Sequence, residues 1–181
     1  TQYQQTESSQ SQNGSFILDY DFDDHNSINF TSNLLFNLDQ DRNTMLNNTM
    51  RNGVGQLDST FTTINNANLD NTNLAFDLSY VHKLKKSGAR LSFNGHYTNF
   101  NGKSFQRLGS DYFDASGAFL REFGFDSDSE QDIQIYTGQM DFSTSVGNAS
   151  FETGAKISSI SSESNLDFFN FVGSSNTVDA S

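Results

Sequence analysis

The chain has 181 residues with 22 acidic and 10 basic side chains, a net charge of -12, and no cysteine, proline or tryptophan. That charge repels phosphate and removes the attraction on which nucleic-acid binding rests, and the missing cysteines exclude both a disulfide framework and a thiolate metal site. Hydrophobic residues are only 34 % of the total, yet 18 Phe and 6 Tyr recur at two-residue spacing, which separates the chain from disordered sequences of similar polarity.

Residues 1–14, rich in Gln, Ser and Thr and without a period, read as a loop or frayed tail. From residue 15 the chain alternates, with Phe16, Leu18, Tyr20 and Phe22 on one face and Ile17, Asp19 and Asp21 on the other. Successive side chains in a strand point to opposite faces, so alternation over this length predicts a strand. Residues 23–27 (DDHNS) supply a turn, because Asp and Asn hydrogen-bond their own backbone. Ile28, Phe30, Leu34 and Phe36 then carry the return strand, completing a hairpin over 15–37.

Residues 38–71, rich in Asn, Asp and Thr, read as a long surface loop, within which 58–64 (DSTFTTI) extends a strand or forms a small hairpin. Alternation resumes with Leu74, Phe76, Leu78 and Tyr80, turns at Lys85–Gly88, and returns through Leu91, Phe93, Gly95 and Tyr97, a second hairpin over 72–100. Residues 101–130 read as another long loop. The third hairpin spans 131–160, with Tyr136, Gly138, Met140 and Phe142 facing one way, a turn at Val146, Gly147 and Asn148, and Ala149, Phe151, Thr153, Ala155 and Ile157 on the same apolar side. Phe168, Phe169 and Phe171 mark the start of a further excursion.

The pattern predicts an all-β chain, an antiparallel up-and-down meander of about six long strands in three hairpins, as one segment of a large transmembrane β-barrel. No run of about 18 apolar residues is present, which excludes transmembrane helices but not transmembrane strands, whose mark is alternation. The apolar face expected to meet lipid comprises Phe16, Leu18, Tyr20, Phe30, Leu74, Phe76, Leu78, Phe93, Tyr136, Met140, Phe142 and Phe151. Short turns at one end and long loops at the other match periplasmic turns and extracellular loops. Alternation also fits a soluble or cell-surface β-rich binding or adhesion module whose apolar face is covered by a second sheet or a partner chain. The Thr start and polar ends read as a piece of something longer, and an excised sheet would self-associate through its open edges.

The residues QDIQIYTGQMDFSTSVGNASFETGAKISSISSESNLDFF resemble the barrel segment of TonB-dependent outer-membrane receptors of the Bacteroidota type. In that family a strand of the form IYTxxxDY, a short turn and a strand of the form LExGxKxS recur; here these are Ile135-Tyr136-Thr137, Asp141-Phe142, and Phe151-Glu152 through Gly154, Lys156 and Ser158. The stretch from Tyr20 to Phe30 is similar to other hairpins of the family. Thr144 and Ser145 stand where a Pro is common before the turn. The resemblance implies a 22-stranded barrel with an N-terminal plug, importing a bulky nutrient across the bacterial outer membrane with energy from the inner membrane. Nothing here resembles the plug or a TonB box, so the partners it implies are lipid, the rest of the barrel and the plug, and the transport belongs to the whole receptor.

Chemical motifs are sparse. His25, His82 and His96 share no metal-ligand spacing and read as surface or lumen residues. Asp126, Asp128 and Glu130 carry the alternate acids of a calcium loop but lack its Gly and distal Glu, so a solvated acidic loop is the favoured reading and metal the weaker one. No nucleophile with its base, no paired buried carboxylates and no phosphate-cradling loop can be assembled, so neither an enzyme nor a cofactor is expected. Aromatics of the second long loop, Phe105, Tyr112, Phe113, Phe119, Phe123 and Phe125, are the remaining candidates. Tyr112, Phe113, Phe119 and Phe123 are the ones to test as ligand contacts, against the plainer reading that the loop packs on itself.

Overall fold

In the computed structural model, residues 1–85, 88–172 and 175–178 are described, and nearly all of them lie in one antiparallel sheet. Its strands follow chain order: β1 (Gln2–Asp23), β2 (Asn26–Arg51), β3 (Leu57–Lys83), β4 (Arg90–Asp114), β5 (Phe119–Val146), β6 (Ala149–Val172) and a short β7 (Ser175–Val178). Each strand pairs only with its neighbours in sequence, so β1 and β6–β7 form the two edges of an open meander. The expected six-strand meander is present, with the short β7 added at one edge.

The three expected hairpins are the lower halves of longer ones. Residues 38–71 and 101–130 are not loops: both are continuations of strands, joined by tight turns at 52–56 and 115–118. Of residues 1–14, all but Thr1 likewise belong to β1 and pair with β2 from Gln2↔Asn47 onward. The aromatics Phe168, Phe169 and Phe171 sit inside β6. Of the turn expected at Lys85–Gly88, residues 86 and 87 lie outside the described residues, and Leu84 N–H donates to the Ala89 carbonyl at 2.8 Å across it.

The long reach of the strands has a local cause in the two upper turns, which share one design. Asn52 and Asp114 each open a turn with a glycine three residues on, Gly55 at φ 84° and Gly117 at φ 85°. The left-handed residue is the one a short hairpin loop requires, and glycine adopts it without steric cost. The Asn52 and Asp114 side chains accept the turn's own N–H groups, from Val54 and Gln56 at 3.1 and 3.0 Å and from Ser116 and Ala118 at 2.8 and 2.9 Å. Hydrogen bonds from the Ser116 hydroxyl and then the Ala118 N–H hold the Asp114 carboxyl below its ordinary range. Each turn therefore returns the chain in register.

Between turns, the upper strands are held by side-chain ladders. Asn37–Asn71 at 2.9 Å, Thr62–Asn47 at 2.7 Å, Gln106–Asn65 at 2.9 Å and Thr63–Ser110 at 2.7 Å are cross-strand bonds between residues opposite or next to one another. One irregularity interrupts β2. A register shift falls between Asn37 and Gln40, and Asp39 within it takes φ 53°, its N–H donating to the Asp70 carboxylate at 2.7 Å. This bulge reverses which residues of β2 face which way, so above it odd-numbered residues take the face that even-numbered ones held below.

A single sheet has no interior. Ala89 and Phe171 are the only buried hydrophobic side chains among the described residues, while Phe16, Tyr20, Leu78 and Tyr136 remain about half exposed. Sheets ordinarily bury one face against another layer. None of the described elements covers the apolar side, so whatever covers it is external to these strands.

Candidate functional site: a lipid-facing belt and a luminal wall

The register assigns every side chain to a face, since directly paired residues in an antiparallel ladder point the same way. Following the pairs Leu18↔Phe30, Phe30↔Leu78, Leu78↔Gly95, Gly95↔Gly138 and Gly138↔Ile157 puts one row across six strands on one face. The twelve residues expected to be apolar-facing, from Phe16 to Phe151, all fall on that face. The opposite face of the same rows carries Asn29, Asp77, Ser79, His96, Thr137, Gln139, Asp141 and Lys156.

Aromatic rings run through the belt. Phe16, Phe30, Phe76, Tyr97 and Tyr136 form a continuous ladder over five strands, with ring centroids 6.3, 6.3, 6.3 and 4.8 Å apart. Nearer the turns, Tyr20 and Phe22 pair edge-on at 5.0 Å and Tyr80 stacks on Phe93 at 6.4 Å. Between the two rows Gly95 and Gly138 stand opposite each other, and the missing side chains leave a groove of about 510 Å³ walled by Leu78, Tyr97, Tyr136 and Ile157. The aromatic-rich apolar face runs from Leu74 to Tyr80 on β3 and from Tyr136 to Phe142 on β5, within the roughly nine to eleven residues in which a strand crosses a bilayer core.

The inner face at belt height is wet and internally bonded. The His96 ring lies 2.7 Å from Asp77 and 2.8 Å from Thr98; Gln139 donates to Asp141 at 2.8 Å, and Asn29 to Asp19 at 2.6 Å. His82 instead faces outward at the belt's lower margin, where it and the Tyr80 hydroxyl both meet Asn26 Oδ1 at 2.7 Å. His25 sits in the turn between β1 and β2. His25 and His82 are neighbours at this end of the sheet, where Lys83 N–H donates to the His25 carbonyl at 2.7 Å, while His96 lies on the other face, and no group of three His, Cys, Asp or Glu among the described residues is placed to hold a metal ion.

Above the belt the outer face becomes acidic. Asp41, Asp70, Asp126, Asp128, Glu130 and Asp132 all lie on it, with Lys103 and Arg107 among them. Asp126, Asp128 and Glu130 thus share a face but sit along a paired strand rather than a coordination loop. Arg107 clamps Asp126 through two bonds of 2.7 and 2.6 Å, Lys103 bonds Glu130 at 2.7 Å, and Asp128 stands opposite Phe105. Glu130 raises the Lys103 pKa and Asp126 that of Arg107, through hydrogen bonding first and charge second.

The candidate aromatics divide between the two faces. Phe113 and Phe119 pair edge-on at 5.9 Å by the upper turn, and Phe113 and Phe105 point outward. Tyr112 and Phe123 point inward, in adjacent rows of the luminal wall. There they join residues not singled out from sequence: Phe61 stacks on Tyr112 at 5.4 Å, and the Arg121 guanidinium covers the Tyr112 ring from 4.5 Å. Phe125 also points inward, against Phe168 at 5.9 Å. The Asx-to-glycine spacing of Asn52…Gly55 and Asp114…Gly117 is the sequence signal that would have brought Phe61 and Arg121 to one rim.

An open meander with an aromatic-rich apolar belt on one face and hydrogen-bonded polar groups on the other is the wall of a transmembrane β-barrel. The sequence model of the outer membrane protein beta-barrel family matches residues 82–181, more than half of the chain, and the chain belongs to that family. Its place is the bacterial outer membrane, with the belt against lipid. A search of curated proteins finds no match.

Proposed function

We propose that this sheet is part of the barrel of a TonB-dependent outer-membrane receptor of the Bacteroidota type, taking up a bulky nutrient. The observation that carries the reading is strand length. A bilayer needs about ten residues per strand, whereas β2 to β5 have 25 to 28 residues each. At about 3.3 Å per residue the longest reaches roughly 90 Å, so the wall stands far above the membrane as a tall vestibule. Seven successive strands do not bring β1 back to β6 or β7. Within lipid, unpaired edge groups must find partners, so further strands complete a wide barrel rather than a small filled one.

In this reading the chain performs no catalysis and holds no cofactor; its partners are lipid, the remaining strands and a plug in the lumen. The test is conductance together with cross-linking. The intact protein in planar bilayers is expected to show no steady open-pore current, and in cells to cross-link to the energy-transducing TonB protein. A stable porin-like current with no TonB cross-link overturns the proposal.

A further inference from the structure

Acid is sorted between the two faces of the upper sheet. In the paired rows above the belt, the luminal face of the described residues carries only two carboxylates, and both are engaged: Glu7 with Arg42 at 2.7 Å, and Asp114 within its own turn. The acids of the same rows lie on the outer face. In a chain of net charge -12, the inner rim is thus a surface on which an anion meets little repulsion.

Arg121 stands on it, stacked over Tyr112 at 4.5 Å and outside the ion pairs of the described residues. A guanidinium covered on one flat side by a ring keeps its edge N–H donors directed sideways, the geometry that grips a carboxylate with two parallel bonds. Flat apolar surface adjoins it. Phe61 extends the stack on the far strand, and Phe123, 48 % exposed, lies in the next row on the same strand as Arg121.

We propose that Arg121, Tyr112, Phe61 and Phe123 form a capture site at the luminal rim for organic anions that carry a carboxylate on a flat ring. The carboxylate pairs with Arg121 and the ring lies against Phe123 and the Phe61–Tyr112 stack. The inference rests on the luminal assignment of this face and not on energy-coupled uptake, so a site that binds in a barrel that ignores TonB separates the two.

The probe is 2-naphthoate, titrated by fluorescence anisotropy against the intact barrel in nanodiscs, with 2-naphthamide as its neutral match and empty nanodiscs subtracted. Saturable naphthoate binding is expected, weakened about tenfold or more by Arg121→Gln, the loss of one charge-assisted pair. Tyr112→Leu weakens it as well, while Lys103→Gln on the outer face leaves it unchanged. Arg121 is exposed, and heat-dependent gel mobility verifies that each variant remains folded. No saturable binding, equal binding of naphthoate and naphthamide, or equal affinity in wild type and Arg121→Gln overturns the proposal.

Discussion

Leu78→Arg is expected to destabilise the folded barrel by about 2–4 kcal/mol, the cost of a cation on the lipid face near mid-bilayer. Its neighbour Ser79→Arg is expected to cost within about 0.5 kcal/mol, as for a solvated surface site. Leu78 stands in the central row of the belt, paired with Phe30 on one side and Gly95 on the other, and is 48 % exposed in the isolated sheet. Nothing polar on its face in that row can receive a guanidinium. Ser79 pairs with Asn29 and Asn94 on the wet face. Urea unfolding of the barrel in lipid vesicles measures both changes. The contrast between adjacent residues matters more than either value, because it isolates facing from strand propensity.

The second large effect is expected away from the membrane, at Gly124. Gly109 and Gly124 stand opposite each other on the outer face, and the Phe171 ring fills the space their missing side chains leave. Phe171 is 8 % exposed, and the Arg107 guanidinium lies 5.7 Å from its ring while holding Asp126. A Cβ at Gly124 would overlap both the Phe171 ring and the Leu108 carbonyl oxygen. The backbone contact cannot be relieved by a rotamer change, so Gly124→Ala is expected to cost about 1–3 kcal/mol or more. Gly109→Ala is the control, because its Cβ would meet Phe171 at 3.7 Å, an ordinary contact. Combining Gly124→Ala with Phe171→Ala restores only part of the loss, since the carbonyl contact remains. Thermal unfolding of the four proteins provides the comparison.

The belt was legible in the sequence because lipid and water stand on opposite sides of it. Phe16, Leu78 and Met140 alternate with Ile17, Ser79 and Asp141, and the parity of these stretches carries through to the structure. Above the belt that contrast disappears: both faces meet water, so Asn65 and Asn66, or Ser127 and Asp128, differ little in polarity even though they point opposite ways. Alternation therefore fades while the strand continues, and an Asn- and Thr-rich segment looks like a loop. What keeps it a strand is hydrogen bonding across the ladder and the two Asx–glycine turns, neither of which depends on hydropathy. The bulge at Asp39 further hides the pattern of β2 by reversing its parity midway.

The luminal rim shows the same division. Tyr112 and Phe123 were readable as aromatics in a polar stretch, but their separation from Phe113 and Phe119 follows only from register. Phe61 is distant in sequence and reaches Tyr112 because β3 and β4 pair without interruption from Ser59↔Asp114 down to Lys83↔Arg90. Arg121 owes its place over Tyr112 to the bulge that follows Phe119, where the β4–β5 register shifts by one. Local residue chemistry supplied the parts, and long-range pairing decided which of them meet.

The chain has no cysteine, so single cysteines introduced along β3 and β5 can be labelled uniquely with a nitroxide. Collision with dissolved oxygen and with a water-soluble nickel chelate, measured by spin resonance on the barrel in lipid, tests the facing of the belt directly. The expected result is a two-residue oscillation over residues 74–82 and 134–144, with oxygen contact highest at Leu74, Phe76, Leu78, Tyr136 and Met140 and nickel contact highest at Ala75, Asp77, Ser79, Thr137 and Gln139. The oscillation in oxygen contact ends above the Leu74 row, where both faces meet water. Uniform access to nickel along 74–82, or an oscillation of the opposite phase, would contradict the assignment of this face to the membrane.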